Sequence, residues 1–376
     1  NAKPLYHILA VQKPQGLSSA DVVRHLQAIF RKHAWFKPDL AAQQKALDSQ
    51  SRNQRQRRRR SRQIEVKMGH GGTLDPLATG VLVIGLGTGT KSLSSFISCT
   101  KTYETTALFG ASTDTYDRTG RILKRAPHSH ITPELIDSAL DAFRGDILQK
   151  PPIYSALHHE GKRYYEYARE GKPLPVEIKA RPVTVLKMEL VGFEKEGEHG
   201  FGFPDKEGSV EEKVVGEVMR KMGVEESKKR ALEAEGEGQG DEEASGSKKA
   251  KVDDTLFKQA EKIIQESITD PPPESPESPP IASLRMSVSS GFYVRSLIHD
   301  LGEALGSAAH MVQLTRTQQG QFELGKNVIP WEDMTSEDTT RWESQLEAVL
   351  KETSEEGAPL TRDYAVEGGA SGGGEV

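Results

Sequence analysis

"KMGHGGTLDPLATGVLVIGLGTGTK", residues 67–91, sets a lone carboxylate, Asp75, between a glycine-rich lead-in and a proline. A small-residue turn follows, then the apolar run Val81-Leu82-Val83-Ile84, which reads as a buried strand. Asp before Pro commonly opens a turn, so Asp75 has a plain reading as a turn residue. Several catalytic readings fail on inspection. A P-loop needs glycine directly before its lysine, and in "GLGTGTKS" Thr90 precedes Lys91. Thr90 also occupies the sixth position of GxGxxG, where a dinucleotide fingerprint needs glycine. Neither Asp-Thr-Gly nor Asp-Ser-Gly occurs, which excludes an aspartic protease pair. The single cysteine, Cys99, cannot build a deaminase zinc site, a cysteine cage or an internal disulfide. If the site is catalytic, a carboxylate acting without a metal remains.

Around this stretch the chain has 376 residues, room for one large domain or two ordinary ones. Hydrophobics at 35% and aromatics at 6% are low for a fully globular chain and point to partial disorder. No run of about 18 apolar residues occurs, so no membrane span is expected. The chain starts at Asn1 without Met, so an upstream targeting segment is expected to be missing. The net charge of -5 is unevenly spread. Residues 195–280 carry -9 and residues 331–376 another -9, which leaves +13 on the remainder. A basic body with acidic appendages is expected of a nucleic-acid binder, though basic residues also simply solubilise surfaces.

Ser18 and Asp21 form a capping box ahead of Val22, Val23, Leu26, Ile29 and Phe30, predicting an amphipathic helix that runs out near Pro38. Residues 38–63 read as an inserted loop, with seven arginines between Arg52 and Arg62, Arg58 and Arg59 among them. Strands are expected over 81–86, 102–110, 181–193 and 283–290. Thr132-Pro133 opens a helix with Leu135, Ile136, Leu140 and Phe143 on one side. "YVRSLIHDLGEALG" places Val294, Leu297, Ile298, Leu301 and Leu305 on one helical face. Residues 195–280 have too little apolar content to offset an ordering cost of roughly 1–2 kcal/mol per residue. They read as a low-complexity acidic insertion with helical stretches near 211–222 and 255–266. Its basic clusters, Lys228-Lys229-Arg230 and Lys248-Lys249-Ala250-Lys251, fit a nuclear import signal or charge-balancing filler. The expected domain order is thus a catalytic first part (1–194), the insertion, a catalytic second part (281–330) and an acidic tail (331–376). Strands and helices mix without a βαβ rhythm, so the fold class is α+β with a mixed, largely antiparallel central sheet flanked by helices.

Five ordered blocks carry a family resemblance. They are residues 67–91, "KPQGLSS" (13–19), "KTYETTALFGASTDTYDRTG" (101–120), "QKPPIYSALHHEGKRYYEYAREG" (149–171) and "SSGFYVRSLIHDLGEALGSAAHMVQLTRTQQGQF" (289–322). Together they resemble the TruB family of pseudouridine synthases. Leu77-Ala78 stands where the box-guided rRNA-modifying relatives usually carry lysine after Asp-Pro. About 50 residues follow the last block, too few for the extra C-terminal RNA-binding domain of many relatives. With its low-complexity insertions, the chain resembles most the stand-alone eukaryotic branch, fungal in style, that modifies uridine 55 of tRNA.

The resemblance implies a pseudouridine synthase fold and the isomerisation of a T-loop uridine to pseudouridine, with no cofactor and no metal. It implies Asp75 as the catalytic carboxylate, attacking sugar or base or promoting a glycal-like intermediate; the sequence does not choose among these. Arg295 is then the guanidinium that keeps Asp75 ionised, against a plainer reading as a surface arginine. Tyr293 would assist proton removal and Tyr103 would stack on the base, against packing roles for both. Leu314 is an apolar pocket wall or simply core. His70 would fill the stack vacated by the flipped base, with Gly72 and Thr73 shaping the turn. Lys13-Pro14 reads as structural support for the loop. The Arg52–Arg62 loop has no family counterpart and is expected to contact tRNA phosphates, or to act as filler or import signal. The expected partner is the tRNA T-arm, with T-arm-like mRNA loops as a further substrate and monomer as the default state. Nuclear, mitochondrial and cytoplasmic pools all stay open. An RNA-folding chaperone is the rival from another class, disfavoured because binding alone needs no buried acid.

Overall fold

In the computed structural model, residues 8–49, 64–155, 158–159, 161–163, 178–195, 197–209, 212–213 and 279–355 are described. The strands are β1 (Ile8–Lys13), β2 (Met68–His70), β3 (Thr79–Leu86), β4 (Lys101–Phe109), β5 (Ala111–Thr113), β6 (Ile122–Arg125), β7 (Gly145–Gln149), β8 (His158–His159), β9 (Lys162–Arg163), β10 (Arg181–Glu194), β11 (Ile281–Val288), β12 (Ala309–Gln319) and β13 (Phe322–Glu323). The α-helices are α1 (Ser19–Lys32), α2 (Lys37–Asp48), α3 (Leu93–Ser98), α4 (Pro133–Leu140), α5 (Val294–Ala304), α6 (Trp331–Met334) and α7 (Thr340–Glu355). The architecture is α+β and its strand pairs are largely antiparallel. The chain divides into two compact units: one runs to Cys99 and resumes at Arg316, the other spans Thr100–Thr315. Asp75 belongs to the first unit and Tyr103 to the second.

In the first unit β3 pairs antiparallel with β1 from Ile8↔Gly85 to Lys13↔Gly80. The strand alternation sends Leu9, Val11, Leu82, Ile84 and Leu86 into one core cluster. Ile8, Ala10, Val81 and Val83 go into another, with Phe96 and Phe322. Both faces of β3 are buried, which is why its sequence is an unbroken apolar run rather than an alternating one. Helix α1 covers the first face with Val22, Leu26 and Phe30. Its capping box forms as expected: Asp21 N donates to Ser18 Oγ, and Ser18 N donates to Asp21 Oδ2, both at 3.1 Å.

Several expectations are corrected here. Helix α1 ends at Lys32, capped by His33, and not near Pro38. Pro38 begins rather than ends a helix: it lies in the first turn of α2, where a missing N–H costs nothing, so the expected 38–63 loop contains a helix up to Asp48. The expected acidic tail from residue 331 also contains packed structure. Trp342 and Leu346 of α7 are fully buried beside Phe30 and Phe36, while Arg341 and Glu347 of the same helix are exposed. His33 Nε2 meets Glu343 Oε1 at 2.7 Å and ties that helix to the end of α1.

The second unit is a sheet in the order β12-β4-β11-β10-β7. Residues Thr102, Glu104 and Thr106 of β4 stand opposite Ser287, Arg285 and Ser283 of β11. Helix α5 buries Val294, Leu297, Ile298 and Leu301, as the spacing predicts. In α4 Ile136 and Leu140 are buried, whereas Leu135, expected on the same side, is 40% exposed. The expected insertion starts later than residue 195, because Phe201 and Phe203 pack on Leu108, Ile281 and Val312. Averaged composition hid these two aromatics among polar neighbours. The helical stretches expected near 211–222 and 255–266 fall outside the described residues except for 212–213.

Candidate active site

Asp75 stands half-buried on the loop between β2 and β3. Ala78 N donates to Asp75 O at 3.0 Å and closes the turn that the Asp-Pro pair opens. The backbone on both sides of the acid is tied down by side chains from distant positions. Ser19 Oγ, in the first turn of α1, accepts from Leu74 N at 2.8 Å and donates to Leu74 O at 3.2 Å. Gly16 N donates to Pro76 O at 2.8 Å. Lys13 Nζ donates to Ala78 O at 2.6 Å, to Pro76 O at 3.3 Å and to Pro14 O at 2.7 Å. Arg316, also buried, donates from Nε to Val81 O at 2.7 Å and from Nη2 to Gly72 O at 3.3 Å. The loop is therefore held at Gly72, Leu74, Pro76, Ala78 and Val81. An acid on such a frame keeps its position without help from a substrate, which is what preorganised chemistry requires.

Two glycines make the frame possible. Gly72 has φ +138°, in the region open mainly to glycine. Gly80 has φ +102°, and a Cβ built there would lie 2.2 Å from Arg316 O, so any side chain would push β12 away from the loop.

Lys13 is buried among these carbonyls. Burial lowers its ammonium from 10.5 to about 8; the Asp75 carboxylate opposes that shift and the Arg316 guanidinium adds to it. The unfolded chain thus holds this proton more tightly than the folded one. Protonation opposes folding fully below about pH 8, and the opposition fades as pH rises from about 8 towards 10.5. The unaltered protein should therefore gain stability over a Lys13→Met variant as pH rises across that window. Paired urea denaturation at pH 7 and pH 9.5 measures this; a stability gap that does not change with pH would contradict the assignment.

The second unit carries the other predicted residues. Tyr103 on β4 is 8% exposed and Leu314 on the neighbouring β12 is 5% exposed. Tyr293 is the N-cap of α5, and Arg295 lies in that helix's first turn, 5% exposed. The Arg295 guanidinium donates to Thr115 O at 2.8 Å and to Tyr154 O at 2.9 Å, and its Nε lies 3.9 Å from Asp117 Oδ2. Asp117 is buried and accepts from Thr119 N at 2.9 Å and from Thr115 Oγ1 at 2.8 Å. Sequence reasoning missed Asp117, although "STDTYDRTG" lay inside a quoted block. It also passed over Ser19, Arg316 and Gln149; each is an ordinary polar residue whose role depends on what folds against it.

In the first unit the structure places His70 half-buried on β2, opposite Ile84, and Thr73 exposed on the Asp75 loop. His70, Gly72, Thr73 and Asp75 thus share one loop region, while Tyr103, Tyr293, Arg295 and Leu314 share the other unit. Arg58 and Arg59 lie outside the described residues.

Comparison with known proteins follows the same blocks. The model of the TruB family pseudouridylate synthase N-terminal domain matches residues 58–209, and that of the tRNA pseudouridylate synthase B C-terminal domain matches 295–355. The chain belongs to the TruB family of pseudouridylate synthases. It is 42% identical to tRNA pseudouridine synthase 4 of Schizosaccharomyces pombe, over 92% of this chain and 85% of that protein. It is 35% identical to tRNA pseudouridine synthase 4 of Saccharomyces cerevisiae over the same shares. It is also similar, at 19% identity and a TM-score of 0.46, to a chain in a crystal structure of a Cbf5-Nop10-Gar1 complex, covering 92% of this chain and 59% of that one. The C-terminal match overlaps the last quoted block, 289–322, and runs on to residue 355. In this TruB-family chain that matched region includes α6 and α7.

Proposed function

We propose that this chain is a tRNA pseudouridine synthase that isomerises the T-loop uridine at position 55, with Asp75 as the essential carboxylate. The observation that carries the reading is the frame around Asp75: one acid on a loop whose backbone is fixed by Ser19, Gly16, Lys13 and Arg316. Family membership and the names of its fungal relatives support the reaction and the tRNA substrate.

The reaction breaks the C1′–N1 bond of uridine, turns the base and joins C1′ to C5. Atoms and electrons balance within the nucleotide, so the isomerisation consumes neither water nor redox equivalents. Asp75 acts on the detached or detaching base or its sugar, as nucleophile or base. Arg295 supplies positive charge for the acid, Tyr293 assists the proton leaving C5, and Tyr103 and Leu314 bracket the uracil. A paired and stacked uridine is out of reach, so the base must be flipped at a cost of a few kcal/mol, with His70 filling the gap it leaves. The basic body, at +13 outside the two acidic segments, attracts the tRNA backbone. The enzyme works as a monomer, and its basic clusters favour a nuclear pool.

An isolated T-arm hairpin with tritium at C5 of the target uridine tests the substrate assignment. It should release tritium with the enzyme, whereas a single-stranded oligomer of the same loop sequence should not. Equal release from both, or from neither while another RNA is modified, would overturn the T-arm reading.

A further inference from the structure

The turn that delivers Tyr293 and Arg295 lacks a cap of its own. Residues 289–293, "SSGFY", join β11 to α5 through Gly291 at φ +81°. Tyr293 is the N-cap of α5 with φ -112° and ψ 105°, and its side chain caps nothing. Its N–H precedes the helix, where no intrahelical partner exists, and leaving such a group buried and unbonded is costly.

One side chain, 144 positions away, answers both needs of this residue. Gln149, at the end of β7 and 4% exposed, accepts from Tyr293 N at 2.7 Å and donates from Nε2 to Tyr293 O at 2.9 Å. A primary amide carries a donor and an acceptor on one rigid plane and so can pair with a peptide unit as a neighbouring strand would. The residues after Gln149 continue the contact. Lys150 O accepts from Ser296 Oγ at 2.9 Å, and Tyr154 O accepts from Arg295 Nη2 at 2.9 Å. The other end of the turn is pinned to β10, where Ser289 N donates to Thr184 O at 2.9 Å and Ser289 Oγ accepts from Thr184 N at 2.8 Å. The turn is thus held at Ser289 by backbone and hydroxyl, and at Tyr293 by the Gln149 amide.

We propose that Gln149 is a positioning residue for the reaction, which fixes the backbone of Tyr293 and with it the directions of the Tyr293 and Arg295 side chains. The inference rests on the reading that these two residues serve the reaction. In this role Gln149 acts through the backbone of Tyr293. Its replacement should slow the chemical step and leave tRNA binding alone. Misplacing a reacting group by about 1 Å is enough for roughly a hundred-fold loss.

The test uses the full chain with unmodified tRNA tritiated at uridine C5, in single turnover, with filter binding for affinity. Gln149→Met keeps the length and removes both hydrogen bonds. Its rate constant should fall about ten- to a hundred-fold, with tRNA affinity within about twofold of the unaltered enzyme. Wild-type turnover, or a loss confined to affinity, would overturn the proposal. Gln149→Glu is the second arm and decides alone if the methionine variant does not fold. As a carboxylate it cannot donate to Tyr293 O; once protonated it can make both bonds. Burial pushes that carboxyl upward, while Arg181 opposite it on β10, Lys150 beside it and Arg295 on α5 act in the other direction. Its rate relative to the unaltered enzyme should rise as pH falls from about 8 to about 6; a flat ratio would count against the clamp. Tyr293→Leu, assayed alongside, separates the two ideas. Full activity there removes Tyr293 from the reaction, whereas Gln149→Met reports on the clamp through Arg295 regardless.

Discussion

Replacing Asp75 by asparagine should abolish pseudouridine formation, by at least about 10⁴-fold in single turnover, while tRNA still binds. The amide keeps the size and most of the polarity of the acid, but it is neither a nucleophile nor a base. The loop should survive the change because its anchors reach backbone groups of Gly72, Leu74, Pro76 and Ala78 rather than the carboxylate. Stability should fall modestly at neutral pH. The Asp75 charge offsets part of the cost of burying the Lys13 ammonium, and the variant loses that attraction. Rapid-quench turnover and filter binding on the same preparation make the measurement. Residual activity within about a hundred-fold of the unaltered enzyme would remove Asp75 from its central place.

Arg295→Met should be the next most damaging change, and it should harm folding as well as chemistry. The guanidinium is 5% exposed, donates to two backbone carbonyls and faces Asp117 at 3.9 Å. Methionine would leave those carbonyls without this donor and a buried carboxylate without this cation. Removing one partner of a buried pair typically costs about 3–5 kcal/mol, and the Thr115 and Thr119 contacts to Asp117 place the expectation near the lower figure. The catalytic loss should reach about 10³-fold, since positive charge aimed at a reacting anion is worth several kcal/mol. Arg295→Lys should recover part of the stability and little of the rate, because an ammonium cannot span both carbonyls from one plane. Urea denaturation and single-turnover rates decide the matter. A methionine variant as stable as the parent, or active within tenfold, would contradict this role.

Much of the fold could be read from short-range signals. Ser18 and Asp21 cap α1, and the apolar spacing of Val294, Leu297, Ile298 and Leu301 marks α5, because both depend on neighbours within one or two turns. The unbroken run at β3 reflects burial on both sides, and the sequence displays that directly. What escaped were features settled by distant partners. Pro38 looks like a stop unless the chain resumes a helix around it. The acidic composition after residue 331 conceals Trp342 and Leu346, which lie in the core. The same holds within the site. Asp75 on its own reads as a turn residue, and it and the residues on its loop were singled out through the resemblance carried by the whole stretch 67–91. Ser19, Arg316 and Gln149 were not, since each acts through hydrogen bonds to backbone far away in sequence, nor was Asp117, whose distant contact is the Arg295 guanidinium. The division of the chain at Cys99 and Arg316 likewise follows from packing, and no compositional break marks it.

The most direct measurement is base-resolution mapping of pseudouridine in an unmodified tRNA transcript after incubation with the unaltered chain and, separately, with Asp75→Asn. The first protein should give a single modified site, uridine 55 of the T-loop, and the second none. Modification at another position, or at the same position by the asparagine variant, would contradict this reading.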